Sequence, residues 1–192
     1  MAKTTELPIL PFANKKKWTD WLAKQHDKSA GVWLQIAKKD SEIPSINYEE
    51  ALDVALCYGW IDGQKKAFDD QYWLQKFTPR GPKSIWSKIN TEKVERLIAS
   101  GDMKPAGLKA IELAKQDGRW DAAYASQKNI SVPADFQAAL DKNKQAKAFF
   151  ATLNSVNRYA ILFRIHNAKK PETRARKIRE FVEMLERGEK IH

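Results

Sequence analysis

One cysteine, Cys57, among 192 residues leaves no internal disulfide to staple the fold, and it fits a reducing, cytoplasmic setting. Long apolar runs are missing too. The longest, Val54 to Ile61, has eight residues with a glycine inside it, far short of the roughly 20 that span a bilayer. The opening residues MAKTTELPILPFANKKK place one lysine ahead of a proline-broken apolar patch, without a cleavage pattern, so no secretory leader is expected. Histidine is scarce. His26, His166 and His192 fall in separate segments, lack the short spacing of metal ligands, and read as surface residues. Neither a metal site nor a cofactor is expected. GxSxG, HExxH, GxGxxG and CxxC are all absent. Gly81-Pro-Lys-Ser84 has the look of a P-loop's end, but Lys76 stands where the upstream glycine belongs.

What is present is enough to fold. A hydrophobic content of 43% supports a sizeable core in one domain or two small subdomains. The net charge of +10 is concentrated: residues 142–179 hold eleven Lys and Arg against one acid, Glu172, and the remainder of the chain is balanced. Arg158, Arg164, Lys169, Lys170, Arg174, Arg176, Lys177 and Arg179 form a candidate surface for an anionic partner. An acidic protein, a nucleic acid and a membrane surface all remain open as that partner. The aromatics here fall on apolar helix faces, so sequence-specific reading of nucleic acid is not supported.

Periodicity orders the elements. Leu7 to Phe12 reads as a short edge strand, because Pro8 and Pro11 cannot sit centrally. Asn14 caps a helix with Trp18, Trp21 and Leu22 on one stripe, and Val32, Leu34 and Ile36 alternate along a strand. Asn47 and Glu50 form a capping box for a helix that stops at Gly59. The period then changes to two, with Trp60, Asp62 and Gln64 on one strand face and Tyr72 and Leu74 on one face of the next. Thr78-Pro-Arg-Gly-Pro82 reads as a loop. Beyond it the pattern is helical. Asn90, Val94, Leu97 and Ile98 share one stripe, and Pro105 opens the next helix. Pro133 opens another, and later stripes contain Ala146, Phe149, Phe150 and Leu153, then Val156, Tyr159, Ala160 and Phe163, then Ile178, Phe181, Val182 and Leu185. The expected fold is α+β: a small, mostly antiparallel sheet packed with helices in residues 1–128, then a basic helical C-terminal unit in 129–192.

Residues 58–90 hold three of the seven tryptophans and two of the five tyrosines, mixed with charges and turn formers. Aromatics that supply contact area beside a few orienting charges suit a pocket for a small molecule or peptide. Trp60, Asp62, Tyr72, Arg80, Ser84, Trp86, Ser87 and Asn90 are its candidate ligand-binding residues. Each has a structural alternative. Asp62 and Arg80 can form a bidentate pair that merely clamps a loop, Ser84 or Ser87 can cap a helix, and the aromatics can be core. No catalytic residue is assigned. An enzyme built on Asp62 and Arg80 is the alternative to a binding role.

Several blocks together carry a family resemblance: Y48-EEALDVALCYGWIDGQ-64, Phe77-Thr-Pro-Arg80, S84-IWSKIN-90, G101-DMKPAG-107 and Ala168-Lys-Lys-Pro-Glu-Thr-Arg174. With these blocks the chain resembles the YdeI/OmpD-associated, or bacteriocin-protection, family over nearly its whole length. The resemblance implies a bacterial protein for tolerance of bacteriocins or antimicrobial peptides, with no established reaction. It also implies that Trp60, Asp62, Phe77, Pro79, Arg80, Ser84, Trp86, Ser87 and Asn90 are motif residues.

Overall fold

The computed structural model describes residues 6–126 and 129–192. The chain separates into two compact units: one runs through Trp86 and resumes at Asn90–Ala122, and the other comprises Ser87–Ile89 and Ala123–His192. The boundary expected at 128/129 involves residues 127 and 128, which lie outside the described residues. Among the described residues there are eight helices and a four-stranded sheet, an α+β fold.

In the first unit, β1 (Ile9–Pro11) occupies one edge of the sheet, where Pro11 is tolerated. Helix α1 (Lys15–Gln25) starts where the Asn14 side chain accepts the Lys17 N–H, and it buries Trp18 and Leu22. The sheet is mixed, which corrects the mostly antiparallel expectation. Because α1 carries the chain back across the sheet, β2 (Val32–Ala37) runs parallel to β1. Helix α2 (Tyr48–Cys57) begins with the Asn47–Glu50 capping box and leads into the hairpin β3 (Trp60–Ala67) and β4 (Tyr72–Pro79), giving the order β1-β2-β4-β3.

Two details of the hairpin depart from the alternation of the sequence. The register passes from Asp62↔Phe77 to Lys65↔Gln75, so β3 carries one extra residue and Gln64 leaves the face shared by Trp60 and Asp62. The bulge is fixed by a buried amide: Gln75 Nε2 donates to Gly63 O at 3.0 Å and Gln64 O at 3.3 Å. Strand β4 also runs on through Thr78 and Pro79, opposite Trp60, into what reads from sequence as loop.

Helix α3 (Lys88–Ala99) buries only Val94, and Ile98 is 43% exposed, so the expected four-residue stripe is narrower than its spacing suggests. Part of the α2–α3 contact is ionic instead, with Lys93 Nζ 2.8 Å from Glu49 and 2.9 Å from Asp53. Helix α4 (Pro105–Gln116) starts at its proline and packs on the end of α2 through Gly107. A Cβ at Gly107 would lie 2.3 Å from the Cys57 carbonyl oxygen. Trp18, Leu22, Val32, Leu34, Trp60 and Phe77 lie at the centre of this unit's core.

The second unit packs α5 (Ala134–Asp141), α6 (Lys144–Thr152), α7 (Ser155–His166) and α8 (Pro171–Glu186) around Phe136, Leu140, Phe150, Ile161, Ile165 and Leu185. On α7 the buried face is Asn157, Ala160, Ile161, Leu162 and Ile165, whereas Val156 is 52% exposed. The expected stripe is therefore rotated. A polar residue hides the true register: Asn157 Oδ1 accepts the His192 N–H at 2.9 Å, and its Nδ2 donates to Asn154 Oδ1 at 3.1 Å and to His192 O at 3.2 Å.

Candidate functional site

The first unit has a cleft of about 320 Å³ assembled where α1 and α2 end, β3 begins and β4 stops. Tyr58 and Gly59 enter it because α2 terminates there, with Gly59 at φ +72° in the left-handed region that favours glycine. The Arg80 N–H donates to Gly59 O at 2.9 Å, which brings the Arg80-Gly-Pro82 loop to the same rim. The Lys104 N–H donates to Cys57 O at 3.1 Å, and the close approach at Gly107 lays α4 alongside, so that Lys109 and Leu113 complete the wall. The apolar lining includes Tyr58, Trp60 and Leu113. The charged lining groups are Arg80, Lys109 and Arg119, and no carboxylate is among the lining residues.

Two further groups set the polarity of this cleft. His26 Nδ1 lies 2.9 Å from Leu22 O, and a carbonyl oxygen only accepts, so Nδ1 carries the proton in the neutral ring and Nε2 is the acceptor. Burial, reinforced by the neighbouring Cys57, raises the Tyr58 pKa, which keeps the phenol a neutral donor. Arg119 is held in place by Asp117 through Nε at 2.8 and 2.9 Å, and its Nη1 donates to Ser84 O at 2.9 Å.

Only two of the expected ligand-binding residues, Trp60 and Arg80, line this cleft. Trp60 is 1% exposed, and its Nε1 donates to His26 O at 3.0 Å, so it serves as core and floor together. The expected Asp62–Arg80 pair is not formed. Asp62 instead accepts the Tyr48 hydroxyl at 2.9 Å. Arg80 lies over the Trp86 ring with Cζ 3.5 Å from its centroid, and its Nη1 reaches Ile85 O at 3.3 Å and Ser84 Oγ at 3.4 Å. Trp86 is buried and meets Trp120 at 5.0 Å between ring centroids. Tyr72 sits at the opposite end of β4 from Pro79. Ser87 forms a backbone bridge with Tyr124 in the second unit, and Asn90 lies in the first turn of α3.

His26, Tyr58, Lys109, Leu113 and Arg119 were not legible as site residues, and His26 is half-buried rather than a surface histidine. Four separate segments supply them, and only Lys109 and Leu113, one turn apart on α4, are joined by a local spacing. The one available signal was Gly107 just inside a helix that Pro105 opens, a place where a missing side chain invites close approach. Among the described residues no group of three or more His, Cys, Asp or Glu is placed to hold a metal ion.

Residues 10–110 match the family model described as a domain of unknown function (DUF8412), over half of the chain. Residues 129–188 match the model described as bacteriocin-protection, YdeI or OmpD-associated. The chain belongs to the first of these families, and the likeness to the second is confined to residues 129–188 rather than spanning nearly the whole length. No curated protein and no solved structure shows a significant match to it.

The contacts of the second unit sort the basic residues of 142–179. Arg174 is structural: it grips Asp135 bidentately at 2.6 and 2.9 Å and donates to Ile165 O at 2.7 Å, which ties α8 to both α5 and α7. Arg158 covers the Phe150 ring at 4.4 Å and donates to Phe150 O, and Arg176 stands 3.7 Å from Glu180. Arg179 is exposed on α8. Arg164, Lys169, Lys170 and Lys177 line one cleft of about 340 Å³.

Proposed function

We propose that this chain is a binding protein of the bacteriocin-protection type, taking a small acidic molecule or an acidic peptide end in the cleft of its first unit. The observation that carries this reading is the lining. Arg80, Lys109 and Arg119 surround an apolar floor; Asp117, outside the lining, pairs with Arg119, and no carboxylate lines the cleft itself. An anionic group between those cations, with an apolar body on Tyr58, Trp60 and Leu113, satisfies both parts of the surface. His26 Nε2 accepts a proton donor on the ligand, and the Tyr58 hydroxyl supplies one. The family description adds the setting, a protective role in bacteriocin tolerance. A cytoplasmic location belongs to the same proposal and is supported by the buried free thiol of Cys57. An enzyme built on Asp62 and Arg80 is disfavoured, because the two groups are engaged elsewhere and Asp62 does not line the cleft.

A thermal-shift screen of carboxylates, phosphate esters and short acidic peptides tests the proposal, since a ligand of the native state raises Tm. Lys109 and Leu113 are exposed. Lys109→Gln and Leu113→Ala should therefore leave the parent Tm essentially unchanged and weaken each hit by about tenfold, the loss of one charge-assisted contact or one small apolar contact. Hits that bind both variants as tightly as the parent, or a screen without hits, would overturn the assignment.

A further inference from the structure

We infer that the bacteriocin-protection unit carries a second, separate site: a receptor for a compact oligophosphate in the cleft between the end of α7 and the start of α8. Arg164, Lys169, Lys170 and Lys177 line this cleft with Phe163, Asn167, Ala168 and Thr173, and Arg164 Nη1 also donates to Ala160 O at 2.8 Å. No carboxylate is among these residues. What selects them is that they share one concavity. Like Lys142, Lys144, Arg158, Arg179 and Lys190, they stand in no ion pair among the described residues, but only these four line the cleft, whereas Arg174, Lys147, Arg176 and Arg187 are each paired with an acid. Like charges gathered without a counter-charge repel one another and raise the local positive potential. A polyanion relieves both effects.

The shape narrows the ligand class. The four cations lie around one concavity of about 340 Å³, the size of a small-molecule site, rather than along a groove that a nucleic-acid strand would follow. Two or three linked phosphates match four lining cations better than one phosphate does. The Thr173 hydroxyl can donate to a phosphate oxygen, and Phe163 with Ala168 offers an apolar wall to whatever organic group the phosphates carry. The cleft is also preformed. Arg174 fixes the end of α7 against α8 through Ile165 O, and Asn167 Nδ2 donates to Phe163 O at 2.8 Å, so little ordering remains for a ligand to impose.

The test uses the full chain with pyrophosphate and tripolyphosphate at constant ionic strength, followed by calorimetry and amide chemical-shift mapping. Shifts should centre on Phe163, Lys169, Lys170, Thr173 and Lys177. The double variant Lys170→Gln/Lys177→Gln should bind at least about tenfold more weakly, because two charge-assisted contacts are lost. Lys142→Gln/Lys144→Gln, which removes the same charge away from the cleft, should bind within about twofold of the parent, as a screened distant charge allows. Equal losses in both double variants, shifts scattered over the basic surface, or no binding at millimolar concentration would overturn the proposal. So would binding of a single-stranded oligonucleotide or phosphatidylglycerol vesicles with no binding of the free oligophosphates. Binding at the unit-one cleft would instead shift Lys109 and Arg119 and persist in Lys170→Gln/Lys177→Gln, so the shift map tells the two sites apart.

Discussion

Arg80 shows how a single residue can be found in a sequence while its partner is not. A charged residue in a Pro-Arg-Gly-Pro turn, close to two aromatic stretches, marks itself as structurally committed. Which group it meets depends on the register of β3 against β4. Trp60 pairs with Pro79, so Arg80 lies just past the end of the ladder, three residues beyond Phe77, the partner of Asp62. Its guanidinium settles flat on Trp86, while Asp62 is taken by Tyr48. Flatness is the property that matters. Arg80→Lys keeps the charge but loses the stacked plane and the fork, and should destabilise the first unit by about 1 kcal/mol in urea denaturation. The exposed control Arg179→Lys should have no measurable effect. Equal midpoints for the two variants would remove the stack from the account. Cys57 shows burial acting on chemistry as well as on packing: desolvation, followed by the charge of Asp102, pushes its thiol up to about 11, which makes it inert at neutral pH.

Helix starts were the most legible elements, because a cap is a local event. Asn14, Asn47 and Pro105 act within one turn of themselves, and each begins a helix where its chemistry requires. The bulge in β3 and the rotation of α7 were not legible, for one shared reason. In both places a buried amide, Gln75 or Asn157, sits where an apolar residue would have announced the register. The contact between α2 and α4 falls between these cases, since a glycine is visible but its neighbour is not. Gly107→Ala tests that contact directly. The added methyl meets the Cys57 carbonyl oxygen at 2.3 Å and Leu56 O at 2.8 Å, and backbone cannot step aside as a flexible side chain can. A cost of about 1–3 kcal/mol is expected. Because α4 also carries Lys109 and Leu113, any ligand of the cleft should be weakened in the same variant. Gly101, with no atom within 4 Å of an added Cβ, does not provide a clean control, since its φ of +76° strains a side chain for a different reason.

At the scale of the whole molecule, charge placement was legible and sheet topology was only partly so. The +10 of residues 142–179 is a count, and it falls within the second unit. The parallel strand depends on where α1 returns the chain, which no count reveals. The two family matches likewise fall in different parts of the chain, residues 10–110 and 129–188. The second unit should also announce itself in acid. The Arg174 side-chain hydrogen bond holds the Asp135 carboxyl below the usual aspartate range. A depressed folded-state pKa stabilises above the unfolded value, about 3.9, and that contribution is lost as pH falls through the lowered value. Urea midpoints measured between pH 5 and pH 2 should therefore drop in the parent chain. Asp135→Asn should flatten that part of the profile at a neutral-pH cost of no more than about 1 kcal/mol, since the pair is half-exposed. An unchanged acid profile in the variant would show that another carboxylate sets it.

Strand β3 has a consequence beyond its place beside the cleft. It forms one margin of the sheet, and from Gly63 to Ala67 it is exposed. A long open margin invites a strand from another molecule to add on and begin a fibril. Here the bulge at Gly63 and Gln64 breaks the even spacing that such a visitor needs, and Lys65 and Lys66 place two charges beside the break. The other margin, β1, is three residues long, preceded by Pro8 and ending in Pro11, whose nitrogen has no hydrogen to offer. Crowding copies of this chain together therefore gives the sheet no direction in which to grow.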